Sequence, residues 1–200
     1  MNVPEYAQDA TEAPTAWLKR WLDEAKAAGQ VNHTAMALST LSASGAPRVR
    51  FVLCKGITDT GIQFFTNLES DKALEIAGDQ RVAVAFYWQA VGRQVRIEGT
   101  LTPLDDATAD AYFATRSRMS QIGAWASAQS RPIPTREDLL AAADEVEARF
   151  PEAVPRPPNW SGFHLHAEHW EFWVDQPGRI HDRWVLREGG SGWKIWRLQP

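Results

Sequence analysis

The sequence predicts an α+β fold, a single antiparallel barrel-like sheet with flanking helices. Three observations predict it. Five short segments rich in β-branched or aromatic residues succeed one another with turn-length links and one brief helix, whereas a doubly wound sheet needs a full helix in every connection. A helical block follows and strands then return, so one sheet is assembled from both ends of the chain. Finally, 200 residues without a repeat, a low-complexity tract or an interdomain linker read as one domain over 1–200. Within it, residues 1–14 form an N-terminal arm expected to be mobile.

Each element has its own signal. Trp17, Leu18, Trp21, Leu22 and Ala25 recur at helical spacing and Gly29 is placed to end the helix, over 15–28. The period then changes. Strands are predicted at 35–41, 48–55, 61–67, 81–88 and 93–101, separated by turn signals such as Ser44-Gly45 and Asp59-Thr60-Gly61, with a short helix at 70–77. Helices are expected at 105–115, near 120–127 and at 136–150. Pro151, Pro155, Pro157 and Pro158 impose an extended connector. Three last strands follow at 162–174, 179–187 and 193–198, the final two joined by a Gly-Gly-Ser-Gly turn.

Composition narrows the function. Lys plus Arg number 21 against 25 Asp plus Glu, a net charge of -4, which argues against a general nucleic-acid binder. One cysteine, Cys54, excludes an intrachain disulfide and favours a reducing cytoplasm. The first ten residues lack the basic and apolar regions of a secretory signal. The longest apolar run, 82–88, is too short to span a bilayer. A soluble cytoplasmic protein without membrane partners is expected. Ten Trp are unusual, and they cluster after residue 160, either as large core fillers or as walls for a planar ligand.

No G-x-G-x-x-G, G-x-x-x-x-G-K or C-x-x-C motif occurs. His164 and His166 share a strand face and His169 falls opposite with no cysteine nearby, so no metal site is assigned. The positive charges tell more. Arg50 and Lys55 bracket an apolar strand, Lys72 opens a helix, and Arg116 and Ser120 lie between two helices. These are separate places for small anions. If residues 179–187 are a strand, Arg179, His181 and Arg183 share one face, with Asp182 opposite. They then meet either a polar ligand or a ladder of carboxylates on a neighbouring strand.

With these residues assembled, the chain resembles the pyridoxamine/pyridoxine 5′-phosphate oxidase family over about 34–200. The shared motifs are Arg50-Phe-Val-Leu-Cys-Lys55, Phe65-Thr-Asn-Leu, Arg93-Gln94-Val, Tyr112-Phe-x-x-Arg116, Ser120-Gln-Ile-Gly-Ala-Trp125, Gln129-Ser130, Glu171-Phe-Trp173 and Arg179-Ile-His-Asp-Arg183, with Trp-Arg-Leu-Gln-Pro at the end. The resemblance implies an FMN-binding split β-barrel, with flavin sites at the interface of a homodimer. It assigns FMN to Arg50, Phe51, Val52, Leu53, Cys54, Lys55, Phe65, Thr66, Lys72, Gln94, Gln129, Ser130, Trp173 and Arg183. It assigns the substrate phosphate to Lys55, Tyr112, Arg116 and Ser120, and the pyridine ring to Arg179, Ile180 and His181. Arg179 and His181 are the catalytic candidates.

The implied activity is oxidation of pyridoxamine or pyridoxine 5′-phosphate to pyridoxal 5′-phosphate, with O2 reduced to H2O2, in vitamin B6 biosynthesis or salvage. Two alternatives stay open: a related split-barrel flavin oxidoreductase acting on a phenazine-type substrate, and a non-catalytic store of FMN or pyridoxal phosphate. Four departures stand out. Asp71 occupies a place that is commonly basic in the family, Phe65 replaces a usual Tyr, which matters little if only its backbone is used, Trp170, Val174 and Ile180 differ from the usual residues around the last motif, and residues 1–14 lack the Arg- and Tyr-bearing arm of some members.

Overall fold

A computed structural model of the chain describes residues 3–5, 7–189 and 192–200. In chain order the elements are β1 (Gln8–Asp9), α1 (Pro14–Ala27), β2 (Ala35–Leu41), β3 (Pro47–Leu53), β4 (Gly56–Thr58), β5 (Gly61–Asn67) and α2 (Asp71–Gly78). There follow β6 (Arg81–Trp88), β7 (Arg93–Pro103), α3 (Asp106–Ala114), α4 (Arg118–Ala126) and α5 (Arg136–Arg149), then β8 (Trp160–Val174), β9 (Asp182–Glu188) and β10 (Trp193–Arg197). Short 3-10 turns cover Gln89–Val91 and Pro177–Arg179. Among the described residues no helix is long and apolar enough to cross a membrane.

All ten strands belong to one antiparallel sheet, ordered β1-β10-β9-β8-β7-β6-β2-β3, with β5 on β8 and β4 on β5. The α+β antiparallel architecture is therefore as the sequence predicts. Its organising strand is β8. It pairs with β7 along most of its length, while its other edge takes β5 over Trp160–His166 and β9 over His169–Val174. The change of partner coincides with a bulge in the β7–β8 register between Glu98 and Gly99. Bulges bend and re-twist a strand, which lets one sheet curl into two lobes.

Two glycines permit the backbones to close at this fork. A Cβ on Gly61 would stand 1.8 Å from the Leu165 carbonyl oxygen, and one on Gly99 would stand 2.0 Å from that of His166. Gly61 also has a φ of +156. The three histidines nearby are engaged within the protein. His164 and His166 each meet a threonine hydroxyl at 2.9 Å, on Thr60 and Thr102, and His169 Nδ1 accepts from Arg187 Nε at 2.8 Å.

The core is aromatic. Trp88, Trp170, Phe64, Phe86 and Phe172 are fully buried. α1 lies across the sheet through Trp17, stacked on Phe172 with centroids 4.2 Å apart, and through Trp21, edge-on to the same ring. Half the tryptophan question is thereby answered: Trp17, Trp21, Trp88, Trp170 and Trp196 serve packing.

Three local features differ from expectation. β1 lies within the N-terminal arm and pairs with Lys194 and Ile195, and β4 is a three-residue bridge to β5; both are too short for a periodicity to register. The strand expected at 179–187 begins only at Asp182, because Gly178 and Arg179 adopt left-handed φ angles of 68 and 64. Of the last hairpin turn, Gly190 and Ser191 lie outside the described residues.

Gly99→Ala should lower stability by about 2 kcal/mol or more, because the β7–β8 ladder must move to admit the methyl group. Urea unfolding should show a lower midpoint with unchanged slope. An unchanged midpoint would mean that the fork tolerates a side chain.

Candidate active site

A cavity of about 670 Å³ opens where β3, β5, α2, α3 and α4 converge. The end of β3 contributes Phe51, Val52 and Leu53, followed by Lys55; β5 contributes Phe65, Thr66 and Asn67. Lys72, Tyr112, Arg116, Ser120, Gln129 and Trp160 complete the principal walls. One wall is a stack of parallel rings. Phe65 packs against both Tyr112, at 4.0 Å, and Trp160, at 5.4 Å, and these two rings lie 6.2 Å from each other. The Phe65 ring, and not its backbone alone, therefore shapes the cavity.

Each end of the cavity is cationic. At one, Lys72 Nζ donates to Thr66 Oγ1 and Ser70 Oγ, both at 3.1 Å, and to Gln129 Oε1 at 3.0 Å. These partners are neutral oxygens. Burial, reinforced by the charge of Arg50, pushes the Lys72 amine below the usual lysine range. At the other end the Arg116 guanidinium stands over the Trp160 ring at 4.6 Å. Burial lowers its pKa too, and it pushes the Tyr112 phenol up. Ser117 and Ser120 share a hydroxyl contact of 2.9 Å beside it, at the N-terminus of α4.

Two buried donors lining the cavity have no hydrogen-bond partner among the described residues: Arg116 Nη1 and Asn67 Nδ2. Asn67 is only 5% exposed, and its Oδ1 is occupied by the Glu69 amide at 2.7 Å. An unsatisfied buried donor costs roughly 1–3 kcal/mol, which an anionic ligand would recover. The residues thus fit a phosphate-bearing group at either end with an aromatic body between. Sequence reasoning quoted Asn67 within a motif without assigning it to the site. Its signal is the orphaned amide, which only the packed structure reveals.

Other predicted residues are placed differently. Arg50 turns away from the cavity to Glu75, at 2.7 Å, and to the Thr40 hydroxyl. Burial pushes the Glu75 carboxyl up, but hydrogen bonds from Thr40 and Arg50 and the charges of Arg50 and Arg48 hold it below the usual range. Cys54 is buried behind the β3 wall, with its thiol raised to about 11 by burial, so it is unreactive at neutral pH. Ser130, with a left-handed φ of 71, accepts from the Asp71 amide through its hydroxyl at 3.2 Å.

The remaining candidates form a second cluster. Gln94, Trp173 and Arg183 stand in one row across β7, β8 and β9. The Trp173 ring lies 4.6 Å from that of His181, whose Nδ1 accepts from the Gln176 amide at 3.2 Å. Arg183 donates to buried Glu171 at 2.8 Å and to the Gln199 carbonyl at 3.0 Å. Of the two readings of this segment, Arg183 therefore follows the carboxylate ladder. Arg179, His181 and Arg183 do not share a strand face as expected: Arg179 belongs to the 3-10 turn, His181 precedes β9, and Ile180 is 74% exposed.

None of these six residues lines the cavity, and β8 explains why. Trp160 and Trp173 sit near opposite ends of this 15-residue strand. At about 3.3 Å per residue they are separated by roughly 40 Å along it. One copy of the chain thus presents two separate clusters of the predicted site residues.

Comparison with known proteins places this architecture. Residues 22–174 match the family model described as pyridoxamine 5′-phosphate oxidase. Residues 160–200 match one described as the pyridoxine 5′-phosphate oxidase C-terminal dimerisation region. The chain belongs to the pyridoxamine 5′-phosphate oxidase family. It is 50% identical over 192 residues to a pyridoxine/pyridoxamine 5′-phosphate oxidase of Anaeromyxobacter dehalogenans, covering 96% of this chain and 97% of that protein. Its identity to the enzyme of the same name from Cupriavidus taiwanensis is 47% over 193 residues, covering 96% and 91%. Among solved structures, PhzG of Burkholderia lata 383, determined with tetrahydrophenazine-1-carboxylic acid, superposes with a TM-score of 0.90 at 34% identity over 100% of this chain and 98% of that one. An FMN-binding protein of Nostoc punctiforme shares the fold, with a TM-score of 0.76 at 20% identity and coverage of 95% and 99%.

The Lys72 cradle predicts a pH dependence. Burial favours the neutral amine, whereas a bound anion favours the ammonium, so above the lowered pKa binding must take up a proton. Affinity for FMN should fall as pH rises toward the lysine range, earlier than an ordinary lysine would dictate, and Lys72→Arg should flatten that fall. A slope unchanged by the substitution would remove Lys72 from the anion site.

Proposed function

We propose that the protein is a cytoplasmic, homodimeric FMN-dependent oxidase that converts pyridoxine or pyridoxamine 5′-phosphate to pyridoxal 5′-phosphate and reduces O2 to H2O2, in vitamin B6 biosynthesis or salvage. The observation that carries this reading is one aromatic cavity with a cationic group at each end and two buried donors in its walls, Asn67 Nδ2 and Arg116 Nη1, that are unpartnered among the described residues. Cofactor and substrate each bear a phosphate and a flat ring system, and no single phosphorylated ligand needs both ends.

In this reading Lys72, Thr66, Gln129 and Ser130 hold the flavin phosphate and β3 borders the flavin ring. Arg116, Tyr112, Ser120 and Lys55 hold the substrate phosphate. Gln94, Trp173 and Arg183 of a second copy close over the flavin, with Arg179, Ile180 and His181 over the pyridine. The bound flavin supplies hydride acceptance from the substrate 4′ carbon and reoxidation by O2. The protein groups align the reacting carbon and exclude water between the two ring systems. For the alcohol the products are aldehyde and H2O2; for the amine one water is consumed and ammonia is released as well.

The likeness to PhzG supports a second reading, a flavin oxidoreductase acting on a phenazine-type ring. The two part at Arg116 and Ser120, because a phosphorylated substrate needs a dianion site there. Pyridoxine 5′-phosphate given to the protein in air should yield aldehyde and peroxide in equal amounts. Binding without peroxide would instead indicate a store, and no binding a different substrate. Arg179→Ala should stay yellow but turn over about 10²-fold more slowly, the scale of lost substrate alignment. A colourless variant would contradict the placement of Arg179 on the substrate.

A further inference from the structure

Asp71, at the flavin-phosphate end, carries a charge that opposes a phosphate, and the structure shows what accompanies it. Its carboxylate oxygen lies 3.3 Å from Arg131 Nη2. The same nitrogen donates to the Glu69 carbonyl at 2.9 Å, so the guanidinium is fastened against the residues leading into α2. Arg131 directly follows Ser130, whose hydroxyl accepts from the Asp71 amide, while Gln129 cradles Lys72. The segment 129–131 and the first turn of α2 are thus stitched together at three consecutive positions. The Nε and Nη1 of Arg131 have no hydrogen-bond partner among the described residues, and its side chain is 48% exposed.

A charge count at this end explains the need for such a residue. Arg50 and Arg48 both pair with Glu75, and Asp71 sets a carboxylate beside Lys72. Without Arg131, that carboxylate would stand unpaired beside a phosphate dianion. With it, Asp71 is neutralised and one face of a guanidinium is left to donate.

We propose that Arg131 is the second cation of the cofactor-phosphate site and that Asp71 is the positioning residue that holds it there. The inference rests on the flavin reading above and deepens it. Arg131 acts on the phosphate alone, so it separates FMN from riboflavin, which has the same ring and no phosphate.

The test titrates the full chain, freed of flavin, with FMN and with riboflavin, following flavin fluorescence. Arg131→Ala should weaken FMN roughly 10-fold or more, the scale of one charge-assisted hydrogen bond, and change riboflavin less than about 2-fold. Adding Asp71→Ala to that variant should restore part of the FMN affinity, because it removes a bare carboxylate beside the phosphate. Arg131→Lys, which keeps the charge, should lie nearer the wild type than Arg131→Ala. Equal weakening of both ligands would make Arg131 a structural residue and overturn the inference, as would an Arg131→Ala variant that binds both like the wild type. A wild type that prefers riboflavin or binds neither ligand would sink the flavin reading itself, and the inference with it.

Discussion

β8 changes partner half-way along its 15 residues, and everything functional in the molecule follows from that exchange. Its first half carries β5 and so the aromatic wall of the cavity, with Phe65, Trp160 and Tyr112 in parallel. Its second half carries β9 and the Trp173–Arg183 row. The bulge at Glu98/Gly99 turns the strand, and Gly61 and Gly99 allow the neighbouring backbones to approach where it turns. The two sets of predicted ligand-facing residues therefore lie on opposite halves of one strand, on either side of its turn.

The electrostatics divide the arginines and lysines into two kinds. Arg50, Arg96 and Arg183 are paired with carboxylates of low exposure, Glu75 and Glu171, and these pairs tie strands and helices together. Lys72 and Arg116 instead rest among neutral oxygens and rings, with no carboxylate in hydrogen-bond contact among the described residues. Burying a cation without a counter-charge is costly, and burial lowers the pKa of both groups. That cost is offset only when an anion arrives, which is why the two ends of the cavity read as binding sites and the paired arginines as scaffold.

Much of this was legible in the sequence. Period-two runs such as 61–67 and 81–88 coincide with the observed β5 and β6, since half-buried strands impose alternation directly. The motif residues from Phe51 to Gln129 that line the cavity were assigned through the family resemblance, while local strand and helix-start signals singled out only Lys55, Lys72, Arg116 and Ser120. The sequence misled at Gly178–Arg179, where a left-handed pair breaks what reads as a continuous strand. It was silent where the signal is tertiary. The stacking of Trp17 on Phe172, the orphaned amide of Asn67 and the diversion of Arg50 to Glu75 depend on residues distant in the chain. The resemblance implied sites at a homodimer interface, but which residues fall in which cluster was hidden, since it depends on the partner that each end of β8 takes.

The central claim is that each functional site is assembled from the cavity of one copy and the Trp173–Arg183 region of another. Subunit mixing tests it most directly. An Arg116→Ala variant and an Arg179→Ala variant, each nearly inactive, would be combined under conditions that let subunits exchange. Random exchange in a two-fold dimer gives hybrids with one intact and one doubly damaged site, so about a quarter of wild-type activity should return. A mixture no more active than its components would show that the two clusters do not meet across subunits.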